Sequence, residues 1–311
     1  MSKHVVVTGG AGFIGSNIAD AYIARGWRVT IIDNLSAGDR RNVSSRAEFH
    51  QLDIRDAAAG DLIRQLRPDV ISHHAAQMDV RRSVEDPAAD ADVNVVGSLR
   101  ILEAAVGAAV KRFVFASTGG AIYGEPIGDL QDESHPTAPL SPYGCAKLAV
   151  EHYLHYYRVV HGLSSVALRY ANVYGPRQSA HGEAGVVAIF AGQLLDGQRS
   201  TINGNGTQTR DFVYVDDVVA ANLAASEAEW QGEYNVGTGI ETSVNELYAS
   251  LASIAGSDLA AAHGPAKEGE QLRSVLDASR LRKLASLPER TQLREGLAKT
   301  FAWMRDAGRS R

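Results

Sequence analysis

The chain has 311 residues, 45% of them hydrophobic and 22% charged, with a formal net charge of −5 at pH 7. Charges of both signs are interspersed, so no basic patch recommends nucleic acid as a partner, and no run approaches the roughly 20 apolar residues that span a bilayer. The single cysteine, Cys145, excludes an intramolecular disulfide and fits a reducing compartment.

Residues 4–8, 28–32, 47–52, 69–74, 112–117 and 165–169 read as buried strands, and helical patterns fill the gaps near 13–25, 57–66, 87–109 and 142–161. This alternation predicts crossover units and an α/β fold of the Rossmann type, a doubly wound parallel sheet covered on both faces. His4-Val5-Val6-Val7 opens the chain without a charged n-region or cleavage site, so the expected compartment is cytoplasmic. After residue 172 the rhythm breaks into Gly- and Asn-rich loops, Gly175-Pro176-Arg177 and Asn203-Gly204-Asn205-Gly206. The expected division is a nucleotide-binding domain over 1–172 and a smaller substrate lobe over 173–311, with later segments such as 210–225 returning to the main sheet.

The first strand runs into Thr8-Gly9-Gly10-Ala11-Gly12-Phe13-Ile14-Gly15. Gly9 and Gly12 let the backbone turn tightly against a pyrophosphate, and Gly15 lets the following helix pack closely, its N-terminus offering free N–H groups to the anion. The second strand ends at Asp33, a carboxylate suited to a ribose 2′-OH and hostile to a 2′-phosphate, which favours NAD over NADP. Asn34, Ser36 and Gly38 are expected to line the adenosine side of the same turn, with Asp53 and Ile54 near the adenine.

Tyr143 and Lys147 lie four apart in Ser141-Pro142-Tyr143-Gly144-Cys145-Ala146-Lys147, which puts both on one helix face. An ammonium beside the phenol, together with a positive nicotinamide ring, favours phenolate. The strand before them ends in Ser117-Thr118. A hydroxyl there can meet a substrate hydroxyl and relay its proton to Tyr143; Thr118, 25 residues before Tyr143, is the first choice and Ser117 the second. His73-His74 read as core residues, Cys145 as a packed thiol, and Tyr153, Tyr156 and Tyr157 as packing or interface residues. No metal ligands are expected.

Taken with His74-Ala75-Ala76, Ile122-Tyr123-Gly124, Arg169 to Arg177 and Arg210-Asp211-Phe212-Val213-Tyr214-Val215-Asp216-Asp217, these motifs make a chain that resembles the extended short-chain dehydrogenase/reductases. The resemblance is strongest to the bacterial UDP-glucose 4-epimerase group. It implies bound NAD, a UDP-sugar substrate and inversion at C4 through a transient 4-keto sugar. It further implies that Ala75, Ala76, Gln77 and Asn94 line the cofactor site and that Tyr170 and Val173 lie near the nicotinamide. Asn172 would meet the pyrophosphate, Arg210 a phosphate and Glu270 the ribose. Lys267 stands where the family commonly has arginine and cannot offer its bidentate fork. A homodimer through the helices near 87–109 and 142–161 is implied as well.

Three departures bear on the reaction. Gly119-Gly120-Ala121 follows Thr118 where related dehydratases and decarboxylases carry an acid, which favours epimerisation over elimination. Ser274 stands where several epimerases have a bulky tyrosine, which leaves room for an N-acetyl group. Arg177, followed by Gln178-Ser179, admits a third substrate, a UDP-uronic acid, through its C6 carboxylate. Rival readings are another nucleotide-sugar dehydratase or reductase and, from a different class, a non-catalytic NAD-binding regulator.

Overall fold

The computed structural model describes residues 2–179, 185–266 and 271–309. Largely buried runs form the strands β1 (His4–Thr8), β2 (Arg28–Ile32), β4 (Val70–His73), β5 (Arg112–Thr118) and β6 (Ser165–Tyr170) of a central sheet, with the short, partly exposed β3 (Glu48–His50) at its edge. Between them run α1 (Phe13–Ala24), α2 (Ala57–Leu66), α3 (Val80–Glu85), α4 (Pro87–Ala91), α5 (Ser98–Gly107), α6 (Gly119–Ile122) and α7 (Pro142–His161).

The second half alternates short strands and helices: β7 (Asn172–Tyr174), α8 (Val186–Leu195), β8 (Thr201–Asn203), β9 (Thr209–Tyr214) and α9 (Val215–Glu227). They continue through β10 (Gly232–Val236), β11 (Glu241–Ser243), α10 (Val244–Ala255), β12 (Ala262–Gly264), α11 (Ser279–Leu284) and α12 (Leu293–Arg309).

The central sheet has seven strands, all parallel, in the order β10-β6-β5-β4-β1-β2-β3. Strand order reverses between β1 and β4, and ligands of such sheets bind at that switch, beyond the carboxyl ends of the strands. One face is closed by α2, α5 and α7 through Ile63, Ile101, Val150 and Leu154, the other by α1 and α9 through Ile18 and Leu223. A third cluster fills the smaller lobe, where β7, β9 and β11 form one sheet and β8 pairs with β12. The chain re-enters the central sheet late: β10 pairs with β6, from Gly232 opposite Val166 to Val236 opposite Tyr170.

The apolar pattern over 87–109 reads as one helix, but α4 and α5 are joined by a widened, π-helical turn at Asp92–Gly97. Two nonlocal contacts account for it. Asn94 turns inward to accept from Gln77 N–H and donate to Gln77 O, both at 2.9 Å, and a Cβ at Gly97 would lie 2.7 Å from Ile54 Cδ1. Wide turns of this kind gather near functional sites. Among the described residues no helix is long and apolar enough to cross a membrane.

Candidate active site

A cleft of about 1250 Å³ opens over the switch point, walled by the ends of β1, β2, β4, β5 and β6 and, from the smaller lobe, by Leu195, Asp196 and α12 residues such as Trp303. Its floor is the glycine turn. Gly9 has φ of 69°, and a Cβ there would sit 2.5 Å from Ala75 N. A Cβ at Gly15 would sit 2.2 Å from Gly9 O, so only glycine lets α1 start this close to β1. Gly12 caps α1 without a side chain, leaving the first-turn N–H groups to an anion from the cleft.

Asp33 closes β2 and anchors the turn. Its Oδ2 accepts from Ala11 N–H at 2.9 Å and its Oδ1 from Leu35 N–H at 2.8 Å. The carboxylate retains lone pairs for hydroxyl donors. Asn34 donates to Asp53 at 2.9 Å, and the Arg55 fork grips the same carboxylate and holds it well below the usual carboxylate range. Ser36, Gly38 and Ile54 complete this wall. Uncapped amides at the turn and a carboxylate at the end of β2 fit a dinucleotide diphosphate and its adenosine ribose.

At the other end of the cleft, Ser141 caps α7 by accepting from Gly144 N–H at 3.1 Å, and Pro142 occupies the first turn. A Cβ at Gly144 would lie 2.5 Å from Ala121 O, so the start of α7 lies hard against the segment after β5. Lys147 is buried and donates to Ala116 O at 2.9 Å, with its Nζ 5.8 Å from the Tyr143 ring centroid. Burial pulls its ammonium down to about 8, against the opposing pull of Asp90 and Glu151.

Tyr143 departs from expectation. Burial, and then the Asp90 carboxylate, push its phenol above the ordinary value, and Lys147 does not reverse this. In the protein alone the residue is a phenol, and any shift to phenolate requires a further positive charge in the cleft. Cys145 also departs: it is exposed, not packed, because two residues along a helix is a rotation of roughly 200° away from the Tyr143 face.

The two candidate hydroxyls separate cleanly. Ser117 is buried and its O–H donates to Glu151 at 2.5 Å, whereas the Thr118 hydroxyl forms no hydrogen bond within the described protein and faces the cleft. Asn172 Oδ1, Arg177 Nη1 and His74 Nδ1 are buried on the same walls and have no hydrogen-bond partner among the described residues. Arg177 is held in left-handed backbone, φ 74°, while its Nη2 donates to Asp20 at 2.5 Å. Unmatched polar atoms converging on one cleft call for a polar ligand. Phe13, Ile14, Ala75, Ala76, Tyr170 and Val173 lie on these walls as well.

Other expected residues lie elsewhere. Gln77 and Asn94 bond to each other and to Asp90, bracing the loop after β4 behind the cofactor wall. Arg210 donates from β9 to Thr209 O at 2.8 Å, and Ser274 is buried, its carbonyl accepting from Asp211 N–H at 2.9 Å. Neither lines the cleft. Lys267 and Glu270 lie outside the described residues. His73 is a core residue: its ring nitrogens meet Thr8 Oγ1 at 2.7 Å and Ser98 Oγ at 3.0 Å. Trp303 and Met304 also line the cleft, and the sequence carries no signal for them because an amphipathic helix gives no sign of which end meets a ligand. Glu151 had a signal: it lies four residues beyond Lys147, on the face already read as reactive.

Strand order, glycine turn and the Tyr143–Lys147 pair together define a dinucleotide-dependent enzyme of the short-chain dehydrogenase/reductase class. The chain belongs to the NAD dependent epimerase/dehydratase family, whose pattern matches residues 5–237. It is 45% identical over 307 residues to a putative UDP-glucose 4-epimerase of Methanocaldococcus jannaschii, covering 98% of this chain and 100% of that one. Among solved structures it resembles the UDP-glucose 4-epimerase of Thermotoga maritima with UDP-glucose, at 43% identity and a TM-score of 0.96, covering 98% of this chain and 99% of that one. The UDP-glucose 4-epimerase of Thermus thermophilus in complex with NAD is similar at 44% identity and a TM-score of 0.93, with the same coverage.

Proposed function

We propose that this chain inverts C4 of a UDP-hexose, UDP-glucose and UDP-galactose first, with NAD held in the cleft. One observation carries the reading: the Tyr143 phenol and the unbonded Thr118 hydroxyl share a wall with a glycine turn, and Gly119-Gly120-Ala121 puts no carboxylate beside them. With the cofactor's positive ring in the cleft, Tyr143 as phenolate would take the proton of the sugar 4-OH, relayed through the Thr118 hydroxyl, and would return it as phenol when the keto sugar is reduced. Lys147 supplies a buried positive charge that favours phenolate. NAD held by the glycine turn and Asp33 would supply a reversible hydride acceptor at C4, so no net oxidation would result. Asn172 and Arg177 offer their unpartnered atoms to the sugar-nucleotide. With no acid after Thr118 to manage a C5 proton, the keto sugar is reduced again rather than dehydrated.

The test is to incubate purified protein, without added NAD, with a panel of UDP-sugars and follow C4 configuration by NMR. Inversion of UDP-glucose is expected; no inversion of any sugar, with no co-purified NAD, removes the reading. N-acetylated and uronic sugars are the arms that set substrate range.

The same reading places the enzyme in the cytoplasm, consistent with its unpaired Cys145 thiol. It divides the chain into a nucleotide-binding domain up to about residue 172 and a sugar lobe beyond, with α9 and β10 belonging to the first. It makes the enzyme a homodimer through the helical segment 87–109 (α4 and α5) and α7, supported by Tyr153, Tyr156, Val159 and Val160 exposed along α7. Tyr157, by contrast, is buried and bonds Glu103. Light scattering at micromolar concentration decides the dimer.

A further inference from the structure

Behind the reactive face of α7 lies a charged network that the proposed chemistry does not use. Glu151 is one turn past Lys147 and only 4% exposed. It accepts from Arg169 on β6, whose Nε lies 3.0 and 3.2 Å from the two carboxylate oxygens and whose Nη2 lies 2.6 Å from Oε2. Its Oε1 also accepts the Ser117 hydroxyl at 2.5 Å. Arg169 Nη1 donates to the Tyr123 hydroxyl at 2.7 Å, which donates to Asn235 of β10 at 2.8 Å. The network ties α7, β5, β6, β10 and Tyr123, the residue just after α6.

A pair this deeply buried adds little to fold stability, because desolvation of both charges offsets much of their attraction. What it supplies is direction. A carboxylate has no proton to give, so the Ser117 O–H points away from the cleft and shows the cleft only lone pairs. The end of β5 is thereby bound to α7 within one residue of Thr118 and one turn of Lys147. We propose that Glu151, clamped by Arg169, is a positioning residue that fixes the Ser117 and Thr118 hydroxyls relative to Tyr143. The inference rests on the epimerase reading of this site. The charge pattern agrees: Lys147 is faced by Asp90 from α4, Glu151 from its own helix and the neutral His73 and His74 from the end of β4, and the two carboxylates favour its ammonium.

The test compares wild-type protein with Glu151→Met/Arg169→Met, which removes both charges at similar volume, with Ser117→Ala, and with the two combined. Displacement of reacting groups by about 1 Å costs on the order of 100-fold. The expected result is kcat lower by about 10- to 100-fold in each, with KM, bound NAD and melting temperature little changed. The combination should be no worse than its more affected parent, since both act through one bond. In the variant without the pair, the alkaline limb of the kcat profile should move to lower pH. Rates near wild type in either variant, or losses that multiply in the combination, overturn the proposal. Should the methionine pair not fold, Glu151→Gln enters the same cycle under the same criteria. A wild type that inverts no sugar removes the epimerase reading alone. The network is then read from amide exchange at residues 117–120, expected to quicken about tenfold in Glu151→Gln; no change overturns it.

Discussion

Replacing Lys147 with methionine should abolish turnover and make the protein more stable. Its ammonium is buried, reaches one carbonyl at 2.9 Å, and has its ordinary value of 10.5 drawn down to about 8. At about 1.4 kcal/mol per unit, that depression means the charged side chain weighs against folding by about 3 kcal/mol near neutrality. Loss of the hydrogen bond to Ala116 O takes back about 1 kcal/mol. A net gain of about 2 kcal/mol remains. The sign fixes a pH signature. Because the folded value is depressed, the penalty is fully present below about pH 8 and disappears as pH rises toward 10.5, where the unfolded chain also loses the proton. Urea unfolding of wild type and Lys147→Met at pH 7, 8.5 and 10, with bound cofactor matched, reads the difference directly. A variant no more stable than wild type at pH 7, or a gain that does not shrink on alkalinisation, refutes the reasoning.

Tyr143→Phe should bind NAD and keep its fold while kcat for C4 inversion falls by about 100- to 10,000-fold; near-wild-type rates displace Tyr143 from its role. Gly15→Ala drives a Cβ to 2.2 Å from Gly9 O, so it should lose about 1–3 kcal/mol and much of its bound NAD, read by thermal melts and absorbance of released cofactor. Burial first, then Lys147, draws His74 down to about 3 from 6.5, so the folded state refuses a proton the unfolded state takes. Stability should therefore decline as pH falls below about 6.5, by about 1.4 kcal/mol per unit for that group, and His74→Gln should make the decline shallower in urea melts between pH 7 and 5, the buried His73 supplying the remainder. An equally steep decline in the variant assigns acid sensitivity elsewhere.

Much of the first half was legible because its physics is local. Strands buried on both faces leave unbroken apolar runs, so β1 and β2 fall where the runs fall, and Ser141-Pro142 with Gly162 mark both ends of α7. What depends on distant contacts was not. The widened turn at Asp92–Gly97 exists because Asn94 reaches Gln77 and Gly97 meets Ile54, and nothing in the apolar period records either contact. The strands β7, β8, β11 and β12 are three residues each, too short for an alternating pattern to register. In the site, spacing placed Tyr143 and Lys147 together but could not register burial, which overrides the carboxylates at Lys147 and acts with Asp90 at Tyr143. Choice between Ser117 and Thr118 likewise turned on Glu151, 34 residues away along the chain.

The late return of β10 to the central sheet, between two excursions into the smaller lobe, also limits how such a protein can change. No single contiguous stretch carries the smaller lobe: β7 to β9 precede the return, and β11, α10 and α12 follow it. Swapping one cassette of sequence would carry away an edge strand of the sheet with it. New substrate preferences must therefore accumulate by separate substitutions on segments far apart in the chain, each tested against a sheet that stays in place.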